Sequence, residues 1–231
     1  MQRRNFTRAL IGAAGLSGLS AGSAVQAAGL TNADAALGVR AALERGAVAA
    51  VALLGKSGGF LDNPKVRIAL PGYLNDAAKM LRYTGQQKRV DELVTAMNRA
   101  AEAAVPHAKT LLLDAVKAMS IEDGRQILTG GDNSVTQFFS AKTRAPLGLK
   151  FLPIVTQATE KVALADKYNA VAGQASSLGL ISKDDANIQK YVTAKALDGL
   201  YLMIGEEERK IRKDPVGTGS AILQQVFGSL K

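Results

Sequence analysis

The chain has 231 residues, no Cys, no Trp, a single His at position 107 and a formal net charge of +9. These counts exclude disulfides, thiol nucleophiles and Cys- or His-rich metal centres within one chain. Apolar residues make up 47%, rich in Ala, Leu and Val with few aromatics, a composition suited to packed helices.

The N-terminus reads as a leader. Arg3, Arg4 and Arg8 form a positive stretch without an acid, and residues 10–19 are mildly apolar but diluted by Gly12, Gly15 and Gly18. Val25-Gln26-Ala27 places small residues where a signal peptidase needs them, so cleavage is expected after Ala27. Arg3-Arg4-Asn5-Phe6 is similar to a twin-arginine export signal, which implies a periplasmic destination. Removing residues 1–27 deletes three Arg and no acid, so the charge falls from +9 to +6. Residues 28–231 are expected to fold as one helical domain with no transmembrane anchor. A basic exported chain points to anionic envelope lipid or an envelope protein as partner, and away from nucleic acid.

Thr31-Asn32-Ala33-Asp34 predicts a helix start, and the run continues to Leu54 before Gly55. Gly55-Lys56-Ser57 invites a phosphate-loop reading, but position 50 is Ala where that loop needs Gly, and the segment ends a helix instead of opening one. A glycine turn is the expected structure. Residues 66–70, Val-Arg-Ile-Ala-Leu, alternate between Pro64 and Pro71; they predict an extended loop that drops Val66, Ile68 and Leu70 onto the helices.

Helices are then expected from Pro71 to Tyr83, from Gln86 to Val105, and from about Pro106 to Met119, with Pro106 as either a kink or a new start. Ser120 caps a short helix ending near Gly130-Gly131, and Glu122-Asp123 decorates its start. Asn133 caps another through Phe138 and Phe139. Residues 147–175 predict one or two helices interrupted near Pro153. Ser182 with Asp185 is the expected start of a long helix to about Lys213, and residues 216–230 predict the last. The fold class is an all-α irregular bundle of about eight helices. His107, in a first helical turn, is expected to be exposed or capping.

From Glu206 to Asp214, eight of nine residues are charged. Glu206 with Lys210 and Glu208 with Arg212 are four apart with the acid first, the favourable order on a helix. Lys210, Arg212 and Lys213 suit the C-terminal end of the dipole. Local electrostatics thus account for this run as a solvated helix end.

Five ordered stretches carry a resemblance: MNRAAEAA at 97–104, AMSIEDGRQILTGGDNSVTQFF at 118–139, YVTAKALDGLY at 191–201, EEERKIRKDP at 206–215 and ILQQVFG at 222–228. Together the chain resembles the exported bacterial family called domain of unknown function 4197. The family pattern often has Tyr-Phe where this chain has Phe138-Phe139, so a Tyr hydroxyl there is dispensable. The resemblance implies a helical envelope protein and carries no activity.

It directs attention to polar residues inside apolar motifs. Asn98 lies at helical spacing between Val94, Ala101 and Val105; Arg99 and Glu102 are three apart; Asp198 shares a stripe with Tyr191, Ala194, Tyr201 and Gly205. A buried carboxylate needs a partner, and Lys195, Arg99 and Arg212 are the candidates for Asp198. Asn98, Arg99, Glu102, Lys195, Asp198, Glu208 and Arg212 are therefore the candidate set, as a buried ion-pair network or a binding site. No catalytic residue, metal site or cofactor is assigned. Three function classes follow: a non-catalytic binding or envelope-associated protein, a carrier of an apolar ligand or lipid between helices, and an acid–base enzyme using Glu102 and Asp198.

Overall fold

A computed structural model describes residues 32–74, 78–79, 83–131, 134–160, 163–177, 179, 182, 186–214, 216–217 and 224. The fold is an all-α irregular bundle. The leader, the Thr31 and Asn133 caps, Asp185, residues 75–77 and 80–82 of the helix expected at 71–83 and most of that at 216–230 lie outside the described residues.

Helix α1 spans Asn32–Leu54 and buries Val39, Ala42, Leu43, Ala47, Ala50 and Leu54. Its small residues let another backbone come close: a Cβ added at Gly46 would lie 3.6 Å from the carbonyl oxygen of Ile204. At Gly55 the chain turns, as the sequence predicts, and Gly58 takes a φ of +82°, a left-handed conformation that side chains disfavour. Val66 closes a turn, and residues 67–70 run on with no strand partner among the described residues. The period-two alternation buries Val66 and Ile68, packs Leu70 against the core and leaves Arg67 and Ala69 outside. A short 3₁₀ turn, Gly72–Leu74, follows.

Helix α2, Gln87–Ala104, passes through a 3₁₀ turn at Val105–Ala108 into α3, Lys109–Lys117. Pro106 sits in the first turn of that bend, where its missing N–H costs nothing. His107, in the same turn, is exposed. Helix α4, Ile121–Thr129, starts on a reciprocal cap. Ser120 Oγ accepts from Asp123 N at 3.0 Å, and Asp123 Oδ2 accepts from Ser120 N at 2.9 Å. Asp123 is thus a structural half of the cap, more than decoration. The Ser120 backbone and hydroxyl hydrogen bonds hold its carboxyl below the ordinary value, against a smaller effect of burial.

Helix α5, Ser134–Thr159, departs from the sequence reading. It runs unbroken through Pro146 and Pro153. The two prolines lie seven residues apart on an exposed face. The carbonyls that lose a helical partner, those of Lys142 and Leu149, also belong to exposed residues, so water can satisfy them. Phe139, Leu147, Phe151 and Val155 fill the opposite face. This continuity, with part of the chain outside the description, gives fewer described helices than the eight expected. Helix α6 is Ala163–Ser177.

Helix α7, Ile188–Lys213, packs against α1, α2 and α5. Its start also differs from expectation. Ser182 O accepts a single-turn bond from Ala186 N at 3.0 Å. The chain then turns extended at Asn187, φ −124° and ψ 118°, and Asn187 Oδ1 caps the helix by accepting from Lys190 N at 2.9 Å. Two glycines allow close approach. A Cβ at Gly199 would meet Phe60 Cε1 at 2.9 Å and Val66 Cβ at 3.2 Å; one at Gly205 would meet Thr136 Oγ1 at 2.9 Å. The buried side chains of α1 through α7 form one contiguous apolar core, with Tyr201, Phe60, Phe139 and Phe151 among its largest members.

Candidate functional site

The seven candidate residues divide into three separate clusters. The first clasps the loop between α1 and α2. Asn98 is completely buried. Its Oδ1 accepts from Ile68 N at 2.8 Å, and its Nδ2 donates to Ile68 O and to Val94 O, each at 2.8 Å. One side-chain amide therefore satisfies both backbone groups of a buried extended residue, as a neighbouring strand would. One turn on, Glu102 Oε1 accepts from the N–H groups of Phe60 and Leu61 at 3.0 Å each. Glu102 Oε2 accepts from Arg99 Nη1 at 2.6 Å, and the same guanidinium nitrogen donates to Ser57 Oγ at 2.8 Å. Burial raises the Glu102 carboxyl, but hydrogen bonds from Leu61, Arg99, Phe60 and Gly58 outweigh it. The net pKa lies below the ordinary 4.5. Glu102 is thus held ionised, and its oxygens are committed to the loop.

The second cluster joins α7 to α4. Glu208 is 3% exposed and accepts from Arg212 Nε. Arg212 also donates from Nη2 to Ile127 O at 2.7 Å and from Nη1 to Leu128 O at 3.3 Å. It thereby supplies donors to the carbonyl end of α4. The Glu208–Arg212 pairing follows the sequence spacing; the Glu206–Lys210 pairing does not. Lys210 bonds Glu207 at 2.5 Å, while Glu206 reaches Lys65 at 2.8 Å. A long-range partner on the loop replaces the local one because the 60–66 segment lies against Gly199, two turns earlier on the same helix.

The third cluster surrounds Asp198, and here the structure corrects the sequence. Asp198 is exposed, its side chain 47% accessible, so it is no buried carboxylate. Of its three expected partners, Lys195 is present at 3.9 Å, and neither Arg99 nor Arg212 bonds it. Its closest partner is Arg144 of α5, whose Nη2 donates to Asp198 Oδ1. Arg144 also donates to Ser140 Oγ at 3.3 Å and lies 5.4 Å from the Tyr201 ring centroid, within cation–π range. Thr143 spends its proton on Phe139 O at 2.6 Å, so Tyr201 O–H donates to Thr143 Oγ1 at 3.0 Å. Burial pushes the Tyr201 phenol up from 10.0, opposed by that bond.

Two cavities flank Asp198 and Leu202 along α7. One, about 180 Å³, lies between α5 and α7 and is lined by Thr136, Ser140, Arg144, Tyr201 and Arg209. The other, about 300 Å³, lies between α7 and the extended loop and includes Lys65, Arg67, Tyr191 and Lys195. Both share Asp198 and Leu202, so they adjoin, and the two together are called the groove. Tyr191 O–H donates to Ala69 O at 3.1 Å and fixes the loop as the groove wall. Among the described residues, five cations and one carboxylate line it. Glu102 lines neither cavity, so it does not share a site with Asp198. A cavity of about 530 Å³ lies between α4 and α5, but Asp123 on its wall is taken up by the Ser120 cap.

The sequence missed Arg144, Lys65 and Arg209. Arg209 had a signal: four residues away on either side stand Gly205 and Lys213, so the helix offers it no acid at that spacing.

Residues 29–228 fit the family described as protein of unknown function, domain of unknown function 4197. The chain belongs to this family. No curated protein and no solved structure matches it. The stretches that carry the family resemblance fall on distinct parts of the structure: 97–104 forms the loop clasp, 191–201 the groove, and 206–213 the tie to α4. No described helix is long and apolar enough to cross a membrane.

Proposed function

We propose that this chain is an exported, non-catalytic binding protein of the cell envelope, and that the groove beside α7 is its binding face. One observation carries the reading. The motif carboxylates Glu102, Asp198 and Glu208 are each engaged by donors, while five cations line an open groove. Two of those cations, Arg67 and Arg209, have no hydrogen-bond or ion-pair partner among the described residues. Such a surface suits an anionic partner better than an apolar ligand, and an anionic envelope lipid or an acidic face of an envelope protein supplies that charge.

Export to the periplasm, by a twin-arginine signal cut after Ala27, rests on Arg3, Arg4, Arg8 and the weakly apolar stretch that follows. That residues 28–231 fold as one domain is supported by the shared core of α1 to α7.

The test is cell fractionation of the full chain with a C-terminal tag. The expected product begins at Ala28, appears in the periplasm, and associates with isolated envelope membranes in a salt-sensitive manner. Replacing Arg3 and Arg4 by Lys lowers export, and the charge reversals Arg67→Glu with Lys195→Glu lower association. An uncleaved chain in the cytosol refutes export. Envelope association indifferent to the charge reversals refutes the groove.

A further inference from the structure

We propose that the small cavity between α5 and α7 is an oxyanion site that takes a phosphoryl group, with Arg209 as its principal cation and Arg144, Ser140 and Thr136 around it. This rests on the groove being the binding face and names the chemistry of one end of it.

The run 206–213 shows why Arg209 is left over. Its three glutamates are each claimed: Glu206 by Lys65, Glu207 by Lys210, Glu208 by Arg212. Arg209, half-buried on the same two turns, has no partner among the described residues and lines the cavity. A partly desolvated guanidinium without an anion is costly, and an incoming oxyanion relieves that cost.

Asp198 would repel an anion if its charge were free. It is not, because Arg144 holds Oδ1 and Lys195 lies 3.9 Å from Oδ2. With Arg144 and Arg209 against Asp198, the described lining stays net positive. Ser140 Oγ already accepts from Arg144 Nε, so its proton is free to point elsewhere, including into the cavity. Thr136 Oγ1 donates its proton to Tyr201 O at 3.4 Å, so it lines the cavity without donating into it, and the Ser140 hydroxyl beside an arginine fork is the neutral donor that matches a tetrahedral oxyanion.

Size decides what fits. At about 180 Å³ the cavity is smaller than sites that enclose a whole drug-sized ligand, about 300–1,000 Å³, so it suits one charged group. The remainder of a longer ligand can pass Leu202, 39% exposed, into the adjoining 300 Å³ cavity. A free phosphate and a phospholipid headgroup offer the same chemistry.

The experiment titrates the full chain with inorganic phosphate by calorimetry and, separately, floats it with phosphatidylglycerol or phosphatidylcholine vesicles. Arg209→Gln should weaken the phosphate or phosphatidylglycerol interaction on the order of tenfold or more. Arg209→Lys should fall between, since it keeps the charge without the fork. Ser140→Ala should weaken it severalfold. Arg125→Gln, which removes an exposed cation paired with Glu122, serves as the equal-charge control and should leave it unchanged. Unaltered thermal melting shows that each variant is folded. Saturable phosphate binding assigns the site to a free oxyanion; flotation confined to phosphatidylglycerol assigns it to a headgroup, and either supports the site. Equal losses in R209Q and R125Q, no loss in R209Q, or no binding in either arm overturns it. Envelope association that still depends on Arg67 and Lys195 would then leave the broader groove reading intact.

Discussion

Asn98→Ala is the sharpest test of how this fold is held. The substitution deletes three hydrogen bonds of 2.8 Å and strands the N–H and C=O of Ile68, a residue 2% exposed. Each buried group without a partner costs about 1–3 kcal/mol, so the pair sets a loss of about 2–6 kcal/mol. The alternative is for residues 66–70 to peel off and take water as partner. That exposes Val66 and Ile68, at about 1.5–3 kcal/mol each. The molecule takes the smaller loss, so about 2–6 kcal/mol is expected. Urea unfolding followed by circular dichroism at 222 nm reads it as a lower midpoint with an unchanged slope. Asn98→Asp sharpens the test. A carboxylate still accepts from Ile68 N–H but turns an acceptor toward two carbonyls, so its folded pKa must rise. The sign follows: relative to wild type, N98D suffers least below the unfolded Asp value of about 3.9 and loses stability as pH climbs through the raised folded value. An N98A midpoint equivalent to less than about 0.5 kcal/mol of change would refute the clasp, as would an N98D deficit that ignores pH.

Glu102→Gln should flatten the acid limb of stability. The Glu102 pKa is lowered in the fold, so its contribution is present above 4.5 and is lost as pH falls through the depressed value. Wild type and E102Q should therefore differ most near neutrality and converge in acid; parallel curves would contradict this. Gly199→Ala gains about 1 kcal/mol of helix propensity but overpacks Phe60 and Val66, which costs about 1–3 kcal/mol. A net loss in thermal melting is expected, and a stabilised variant would show that the loop has room to yield. Arg212→Met leaves Glu208 buried with its charge unmatched, a loss of about 3–5 kcal/mol; adding Glu208→Leu should recover much of it. A double variant no better than the single one would mean that Arg212 acts mainly through the α4 carbonyls.

The elements with strong local signals were legible in the sequence. Ser120 capping, the Gly55 turn and the alternation of Val66, Ile68 and Leu70 all depend on neighbours a few residues away. The breaks were less so. Pro153 reads as an interruption only if its orphaned carbonyl is buried, and sequence does not say which face of α5 meets water. Asp198 sits among apolar residues along the chain, yet it lies at the edge of the buried stripe. Its partner Arg144 comes from a helix 54 residues earlier, beyond any periodic pattern. Asn98 and Glu102 stand out in the sequence as polar residues inside an apolar motif, and the three-residue spacing gives the Arg99 partner of Glu102, but their bonds to Ile68, Phe60 and Leu61 go to backbone groups of a loop, which carry no sequence signature.

The prolines of α5 have a consequence for whatever touches this molecule. At the Lys142 and Leu149 carbonyls the helix keeps two acceptors that its own ladder cannot use. A greasy surface laid over that side would dehydrate them without recompense, despite the inviting Leu149 side chain, 79% exposed. Any neighbour that settles there must bring donors of its own or leave the water in place.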